Sequence, residues 1–180
     1  MKIALTGHTK GLGKSLFDKF QINQHEVLGF SRSNGYDLTN ANTINKIVTE
    51  IENCDVFINN ALPSQITLFE NVFKSWQNDN TKTIVNISSF LKYRDISNYA
   101  TEYSINKNKL YKSTLKPILE KNKQCRLICI NPGYIDTDMV RSKNVVKMSP
   151  DDCADIICWA INQPQYIEVG ELSFWITNSL

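Results

Sequence analysis

Short apolar runs rich in β-formers alternate with longer segments of helical periodicity along this 180-residue chain. The runs IALT, VFIN and RLICI are apolar almost without interruption, as expected of strands buried on both faces of a sheet. Strands that alternate with helices indicate a parallel sheet, because each helix carries the chain back to start the next strand. The predicted strands are Lys2 to Thr6, Glu26 to Phe30, Asp55 to Asn59, Thr83 to Ser88, Arg126 to Asn131 and Glu171 to Thr177.

Five helices are predicted between these strands, and the last has the clearest start signal. Ser149 offers a capping hydroxyl, Pro150 suits the first helical position, and two aspartates follow near the positive end of the helix. The predicted helices are Gly11 to Gln24, Ala41 to Asn53, Gln65 to Gln77, Asn98 to Lys123 and Ser149 to Asn162. The pattern predicts an α/β fold with helices on both faces of the sheet.

Composition is that of an ordinary globular protein, with 42% apolar and 21% charged residues. The net charge of +2 is small and the cations are scattered, so neither nucleic acid nor an acidic surface is indicated as a partner. No apolar run approaches the ~20 residues needed to cross a bilayer, and the first strand begins almost at Met1. We expect a cytoplasmic protein whose residues 1–180 form one domain.

Cysteines and histidines give no indication of a metal site. The five cysteines are odd in number and contain no CxxC pair, which favours reduced core thiols over disulfides or metal ligands. The two histidines, His8 and His25, have no ligand partner at metal spacing. We therefore predict no metal.

A glycine-rich stretch, TGHTKGLG at residues 6–13, follows the first strand and opens the first helix. A dinucleotide pyrophosphate binds bare backbone N–H groups at the positive end of a helix, and glycines allow that close approach. The spacing is G-x3-G-x-G rather than G-x-G-x-x-G, so a simple tight turn is the alternative.

Tyr103 and Lys107 are spaced to share one face of the longest predicted helix. A free tyrosine has a pKa of about 10, and a nearby cation lowers it toward the range useful for acid–base chemistry. The lysine could also donate to ribose hydroxyls. Ser88 and Ser89 end a buried strand, where ligands of open α/β sheets bind. The alternatives are an exposed Tyr–Lys pair that shares a turn by chance and serines that merely end a strand.

Six segments stand in the order found in the short-chain dehydrogenase/reductase family, which the chain resembles over essentially its whole length. They are TGHTKGLG, Asp37-Leu38-Thr39, Asn59-Asn60-Ala61, NISS at residues 86–89, YSINK at residues 103–107 and NPGYIDT at residues 131–137. The resemblance implies a doubly wound Rossmann-type sheet in three layers. It implies Tyr103 as the catalytic acid or base, Lys107 as its tuning cation and ribose ligand, and Ser89 as the catalytic serine, with Ser88 as the second choice.

The same resemblance assigns the contacts of a nicotinamide dinucleotide. It places Thr6, Gly7, Thr9, Gly11, Leu12 and Gly13 around the pyrophosphate, Asp37 and Leu38 at the adenine, Asn59, Asn60 and Ala61 at the adenosine ribose, and Pro132, Gly133, Ile135 and Thr137 at the nicotinamide half.

Charge at the end of the second strand indicates which dinucleotide is preferred. NAD sites usually carry an acid there for the ribose 2′-hydroxyl, whereas NADP sites place a cation near the 2′-phosphate. Here the strand ends in Phe30-Ser31-Arg32 without an acid, and Lys10 lies in the glycine loop. Lys10, Arg32 and Ser31 resemble the family's NADPH-preferring pattern, so NADP(H) is expected over NAD(H). The alternative for each cation is a solvated surface position.

The chain is shorter than typical family members. Only four residues separate Arg32 from Asp37, too few for a parallel crossover, so the family's helix after strand two is expected to be missing and the sheet to have six or barely seven strands. No asparagine matches the family's fourth catalytic residue, and Asn71 is only the nearest candidate. Leu62 replaces a usual glycine.

The segment between Thr137 and Ser149 can form only a small flap over the substrate. Phe90, Tyr93, Tyr134 and Met139 are candidate pocket residues, with ordinary packing as the alternative, and a homodimer is expected. We predict an NADP(H)-dependent oxidoreductase that interconverts a carbonyl and a hydroxyl group. The alternatives are a noncatalytic NAD(P)-binding sensor or scaffold and a nucleotide-sugar reductase or epimerase.

Overall fold

A computed structural model describes residues 1–96 and 101–177 of the chain. Its strands are β1 (Lys2–Thr6), β2 (Glu26–Phe30), β3 (Val56–Asn59), β4 (Thr83–Ile87), β5 (Arg126–Pro132) and β6 (Glu171–Phe174). Its α-helices are α1 (Gly11–Ile22), α2 (Ala41–Glu50), α3 (Gln65–Trp76), α4 (Glu102–Glu120) and α5 (Pro150–Ile161). Short 3-10 segments cover Arg32–Asn34, Phe90–Ile96 and Asp138–Val140.

The six strands form one parallel sheet in the order β2-β1-β3-β4-β5-β6. The chain therefore runs outward from β1 to β2, crosses back through α2, and continues on the other side of β1. This reversal opens a crevice at the carboxyl ends of β1 and β3, the usual ligand position in such sheets. The predicted doubly wound, three-layer Rossmann-type fold is confirmed.

Alternate side chains of the central strands enter two separate cores, one on each face of the sheet. Leu5, Ile58 and Ile128 pack with α1 and α5 on one face, whereas Phe57 and Ile84 pack with α2, α3 and α4 on the other. Strands β3, β4 and β5 are buried at every position, which explains their unbroken apolar sequence. The five cysteines are free thiols, four of them buried. No helix within the described ranges combines the length and apolarity needed to span a bilayer.

Between β2 and Asp37 the chain makes a single 3-10 turn, Arg32–Asn34, in place of a crossover helix. Ser31 and Asn34 close this turn, because the Asn34 side chain accepts from the Ser31 N–H (2.8 Å) and donates to the Gly29 carbonyl (2.7 Å). The predicted loss of the family's helix at this place is confirmed, and the sheet has six strands in the described residues.

Helix α4 begins at Glu102, four residues later than the sequence predicted. Thr101 and Ser104 form a reciprocal capping box, in which the Thr101 hydroxyl accepts from the Ser104 N–H at 3.1 Å. The predicted start at Asn98 lies outside the described residues. The 3-10 segment Phe90–Ile96 was not predicted, since so short an element has no periodicity to detect.

An ion pair between a buried lysine and a partly exposed glutamate joins the 3-10 segment after β4 to the edge strand β6. The Lys92 side chain is fully buried, and its Nζ lies 2.5 Å from Glu171 Oε1 and 3.2 Å from the centre of the Tyr111 ring. Burial by itself would raise the pKa of the Glu171 carboxyl, but the hydrogen bond and charge of Lys92 outweigh it and lower that pKa. The pair fixes the segment that starts at the end of β4 and carries Phe90.

Glu171→Gln should lower the free energy of unfolding at pH 7 by about 3 kcal/mol, because the buried Lys92 ammonium loses its charged partner. Urea unfolding of the two proteins measures this difference. Since the pKa of Glu171 in the folded chain lies below its ordinary value of 4.5, the wild-type advantage should vanish as the pH falls through 4.5 and below.

The matched control for this prediction is Asp155→Asn, which removes the exposed partner of Lys19 at 2.7 Å. That change should alter the unfolding free energy by less than about 1 kcal/mol, as is usual for surface ion pairs. An equal effect of the two substitutions would contradict the structural role given to Glu171.

Candidate functional site

A cleft of about 1360 Å³ runs along the carboxyl edge of the sheet. All strands of a parallel sheet end at this edge, so the loops after β1, β2, β3, β4 and β5 meet there. Among the predicted site residues, the cleft is lined by Gly7, Thr9, Lys10, Gly11, Leu12, Gly13, Ser31, Arg32, Asp37, Leu38, Asn60, Ala61, Ser89, Tyr103, Lys107, Pro132, Gly133, Ile135 and Thr137. Of the candidate pocket residues, Phe90, Tyr134 and Met139 also line it, whereas Tyr93 does not.

The glycine loop turns tightly between β1 and α1. Gly7 has a φ of +72° and donates its N–H to the Phe30 carbonyl at 2.7 Å. A Cβ on Gly13 would lie 2.0 Å from the Gly7 carbonyl oxygen, so only glycine fits there. The first turn of α1 contains no acid, and no side chain caps it. Backbone N–H groups at a helix start thus face an open cleft, an arrangement that fits an anionic phosphate group.

The segment after β5 closes over the same loop. A Cβ on Gly11 would lie 2.9 Å from the Thr137 methyl group, so the Thr137 side chain approaches the glycine backbone closely. Likewise, a Cβ on Gly133 would lie 2.7 Å from the Trp175 Cβ. The cleft therefore continues from the glycine loop to the end of β5, and its residues fit an extended ligand such as a dinucleotide.

Thr6 and Asn59 are corrections to the predicted contacts, since both are fully buried and neither lines the cleft. The Thr6 hydroxyl accepts from the N–H groups of Asn60 (2.9 Å) and Ala61 (3.0 Å). The Asn59 amide instead donates to the carbonyl of Gln65 at 2.8 Å. Both residues shape the cleft wall from beneath, and the sequence could not distinguish that role from direct contact.

Ser89, Tyr103 and Lys107 converge at the end of β4. The Ser89 hydroxyl lies near enough to the Tyr103 phenol to lower the pKa of that phenol in part, and Lys107 Nζ lies 5.5 Å from the centre of the Tyr103 ring. Ser88 is engaged elsewhere, because its hydroxyl donates to the Lys107 carbonyl at 2.8 Å. The structure thus favours Ser89 over Ser88 as the hydroxyl available at the cleft.

Burial governs the titration of both Tyr103 and Lys107. It raises the pKa of the Tyr103 phenol, and the nearby Ser89 hydroxyl only partly opposes this. It lowers the pKa of the Lys107 ammonium to about 7. The predicted lowering of the tyrosine pKa by the lysine is therefore not found, because loss of water is the largest influence on the phenol.

Lys107 is held by two neutral acceptors. Its Nζ donates to Gln65 Oε1 and to the Ile87 carbonyl, each at 2.7 Å, and the side chain is almost completely buried. Gln65 was missed by the sequence analysis, because a polar residue at the start of a helix normally faces solvent. Asn71, the nearest candidate for the fourth residue, donates to the Thr67 carbonyl of its own helix at 2.8 Å and does not line the cleft.

At the opposite end of the cleft, Lys10 and Arg32 are exposed cations. The Ser31 hydroxyl lies 2.8 Å from the Ser33 hydroxyl, which gives two adjacent hydroxyls at the turn after β2. Asp37 accepts from the Thr39 N–H and hydroxyl, and these bonds lower the pKa of its carboxyl. The end of β2 itself carries no acid, so the local charge is positive.

Comparison with known proteins identifies the fold. No family model and no curated protein matches the chain, but many solved structures do. A 3-ketoacyl-(acyl-carrier-protein) reductase from Brucella melitensis, complexed with NADH, is 15% identical at a TM-score of 0.78 and covers 99% of this chain and 98% of its own. A 3-alpha-hydroxysteroid dehydrogenase from a Pseudomonas species, complexed with NADH, is 14% identical at 0.76, with coverages of 98% and 95%.

A short-chain dehydrogenase from Burkholderia cenocepacia, in complex with NADP, is 19% identical at a TM-score of 0.76 and covers 96% of this chain and 86% of its own. At these identities the likeness concerns the fold, and it extends over nearly the whole of each chain. The chain therefore has the Rossmann-type fold of the short-chain dehydrogenases and reductases, in a shortened form.

Proposed function

We propose that this chain is a short-chain dehydrogenase/reductase that uses NADP(H) to interconvert a carbonyl and a hydroxyl group. The observation that carries the proposal is the convergence of Ser89, Tyr103 and Lys107 in the cleft that the glycine loop forms. A protein that only binds a dinucleotide has no need of a serine hydroxyl and a phenol together at the far end of its site.

The dinucleotide would lie along the carboxyl edge, with its pyrophosphate at the N–H groups of the glycine loop. The segment from Pro132 to Thr137 and the Lys107 ammonium would hold the nicotinamide half. When bound, this group supplies or accepts a hydride. That solved structures of the same fold are complexed with NADH or NADP supports the assignment.

The chain's own residues would handle the proton and the substrate oxygen. The Ser89 hydroxyl can donate a hydrogen bond to a carbonyl oxygen and so polarise it. The Tyr103 phenol has a raised pKa and is protonated at neutral pH, the state in which it can give its proton to that oxygen. In the reverse direction the same phenolate would take the proton back. Lys107 in its charged form stabilises the phenolate that remains after proton transfer.

Tyr103→Phe should reduce turnover of NADPH with aldehydes and ketones by about 100-fold or more, because general acid–base catalysis typically contributes that much. NADPH affinity should stay within about twofold, since the ring that packs in the cleft is retained. The measurement is NADPH oxidation against a panel of carbonyl compounds, with affinity from fluorescence titration.

Tyr166→Phe is the matched control, because Tyr166 is 88% exposed and does not line the cleft. It should leave both turnover and affinity unchanged. Tight NADPH binding without turnover on any carbonyl would overturn the enzymatic proposal and leave the noncatalytic sensor in its place.

The preference for NADP(H) rests on the charge near the end of β2. Lys10 and Arg32 line the cleft as exposed cations, and the hydroxyls of Ser31 and Ser33 lie beside them. A 2′-phosphate would be bound there by charge-assisted hydrogen bonds, whereas a 2′-hydroxyl would gain little.

Arg32→Ala should weaken NADPH binding by about tenfold and leave NADH binding nearly unchanged, as expected from loss of one charge-assisted contact to phosphate. Dissociation constants for both dinucleotides measure this selectivity. Lys14→Ala serves as the control, because Lys14 pairs with Asp18 one turn along α1, outside the cleft. Equal weakening of both dinucleotides by Arg32→Ala would contradict the assignment.

A further inference from the structure

Lys107 Nζ has three N–H groups, and two of them have acceptors among residues 1–96 and 101–177. One donates to Gln65 Oε1 and one to the Ile87 carbonyl, each at 2.7 Å. All three N–H groups of an ammonium are donors, so the third one is available to donate to a ligand. The side chain is only 4% exposed and lines the cleft, so this third group has the cleft as its open side.

The side-chain amide of Gln65 can adopt only one orientation at this place. Its Nε2 donates to the Asn59 carbonyl at 2.8 Å and to the Ile87 carbonyl at 3.2 Å. A flipped amide would set its oxygen against two carbonyl oxygens and its NH2 against an ammonium, which is unfavourable on both sides. The acceptor oxygen is therefore directed at Lys107.

A chain of buried amides holds Gln65 itself in place. Asn59 Nδ2 donates to the Gln65 carbonyl (2.8 Å) and to Asn86 Oδ1 (2.8 Å), and Asn86 Nδ2 donates to the Thr114 hydroxyl (2.8 Å). Thr114 lies on α4, two turns beyond Lys107. The network thus starts and ends on the same helix and crosses the carboxyl ends of β3 and β4, which leaves Gln65 little freedom to move.

No carboxylate faces the ammonium among the described residues whose contacts are known. The facing groups on α3 and β4 are the neutral Gln65 amide and the Ile87 carbonyl. On its own helix the nearest titratable group is Tyr103, and on β5 it is Cys129, whose thiol pKa is raised to about 12 by burial. The charges of Lys92 and Glu171, which pair with each other, also act on the Cys129 thiol. The fraction of Lys107 that is charged therefore depends on how well these neutral acceptors stabilise the ammonium.

We propose that Gln65 is the positioning residue of Lys107, whose side-chain amide fixes the ammonium so that its free N–H points into the cleft. The catalytic part of this statement rests on the function proposed above. Gln65 does not touch the reacting atoms; it acts through Lys107.

The direct test measures the equilibrium constant for protonation of the Lys107 amine, called here its protonation constant, which falls when the pKa falls. It is measured by NMR titration of isotope-labelled lysine in the full chain without dinucleotide. The Lys107→Met protein assigns the signal, and the wild-type pKa is expected at about 7. Gln65→Met, similar in size but without an acceptor, should lower the protonation constant by about tenfold, as expected from loss of a hydrogen bond to a charged group. Gln65→Glu should raise it by about tenfold or more, because it adds an opposite charge.

Gln77→Met is the matched control at the other end of α3, where the Gln77 side chain bonds the Lys74 carbonyl at 3.5 Å. It should leave the protonation constant unchanged. A folded Gln65→Met protein whose constant stays within twofold of the wild type would overturn the proposal, since Gln65 would then serve packing alone. Should Gln65→Met fail to fold, Gln65→Glu decides, and an unchanged constant there overturns the proposal equally.

The pH dependence of turnover distinguishes failure of this inference from failure of the proposed function. If charged Lys107 is required, activity falls as the pH rises through its pKa, so Gln65→Glu should extend activity to higher pH and Gln65→Met should shorten it. Shifted protonation constants with an unshifted pH profile would refute the catalytic part. Shifted constants in a protein with no turnover at all would refute the proposed function but keep Gln65 as the residue that holds Lys107.

Discussion

The parallel sheet places every strand's carboxyl end on one edge, and the candidate site depends on that single constraint. Five loops meet there, although they lie up to about 130 residues apart in the sequence. None of them could form the cleft alone. The two apolar cores, one on each face, hold the strands in register, and the reversal of strand order beside β1 leaves the space between the loops open.

Burial at this edge then sets the chemistry. An ammonium placed among carbonyl and amide oxygens is held by hydrogen bonds but poorly compensated in charge, so the pKa of Lys107 falls to about 7. Burial instead raises the pKa of the neighbouring Tyr103 phenol, because it disfavours the phenolate anion. Both groups are thus brought to their less charged forms, and a ligand that brings charge into the cleft would shift both. The Lys92–Glu171 pair shows the contrasting solution, in which a buried lysine is matched by a carboxylate.

The connection between β2 and Asp37 lacks a crossover helix, but the strands and loops that form the cleft are all in place. A 3-10 turn closed by Ser31 and Asn34 replaces a crossover helix, yet β2 still pairs with β1 along its full length. The turn keeps Arg32 beside the glycine loop, both at the rim of one cleft. Insertions and deletions in loops change stability little when the strands on either side keep their partners.

The sequence predicted the strands to within a few residues, because short unbroken apolar runs are typical of strands in a sheet that helices cover on both faces. It also predicted Ser89, Tyr103, Lys107 and the glycine loop as site residues, and all of them line the cleft. It could not distinguish Thr6 and Asn59, which lie under the cleft, from their neighbours that line it, since adjacent residues differ only in which way they face.

Local order along the chain was thus determined by the sequence itself, through apolar periodicity, caps and glycines that act within a few residues. Only the tertiary structure decided that Gln65, 42 positions from Lys107, accepts a hydrogen bond from the Lys107 ammonium. It also decided that burial, rather than the Tyr–Lys spacing, governs the pKa of the Tyr103 phenol. The physical reason is that hydrogen-bond partners and loss of water depend on what packs around a group, and packing joins residues that no short-range pattern connects.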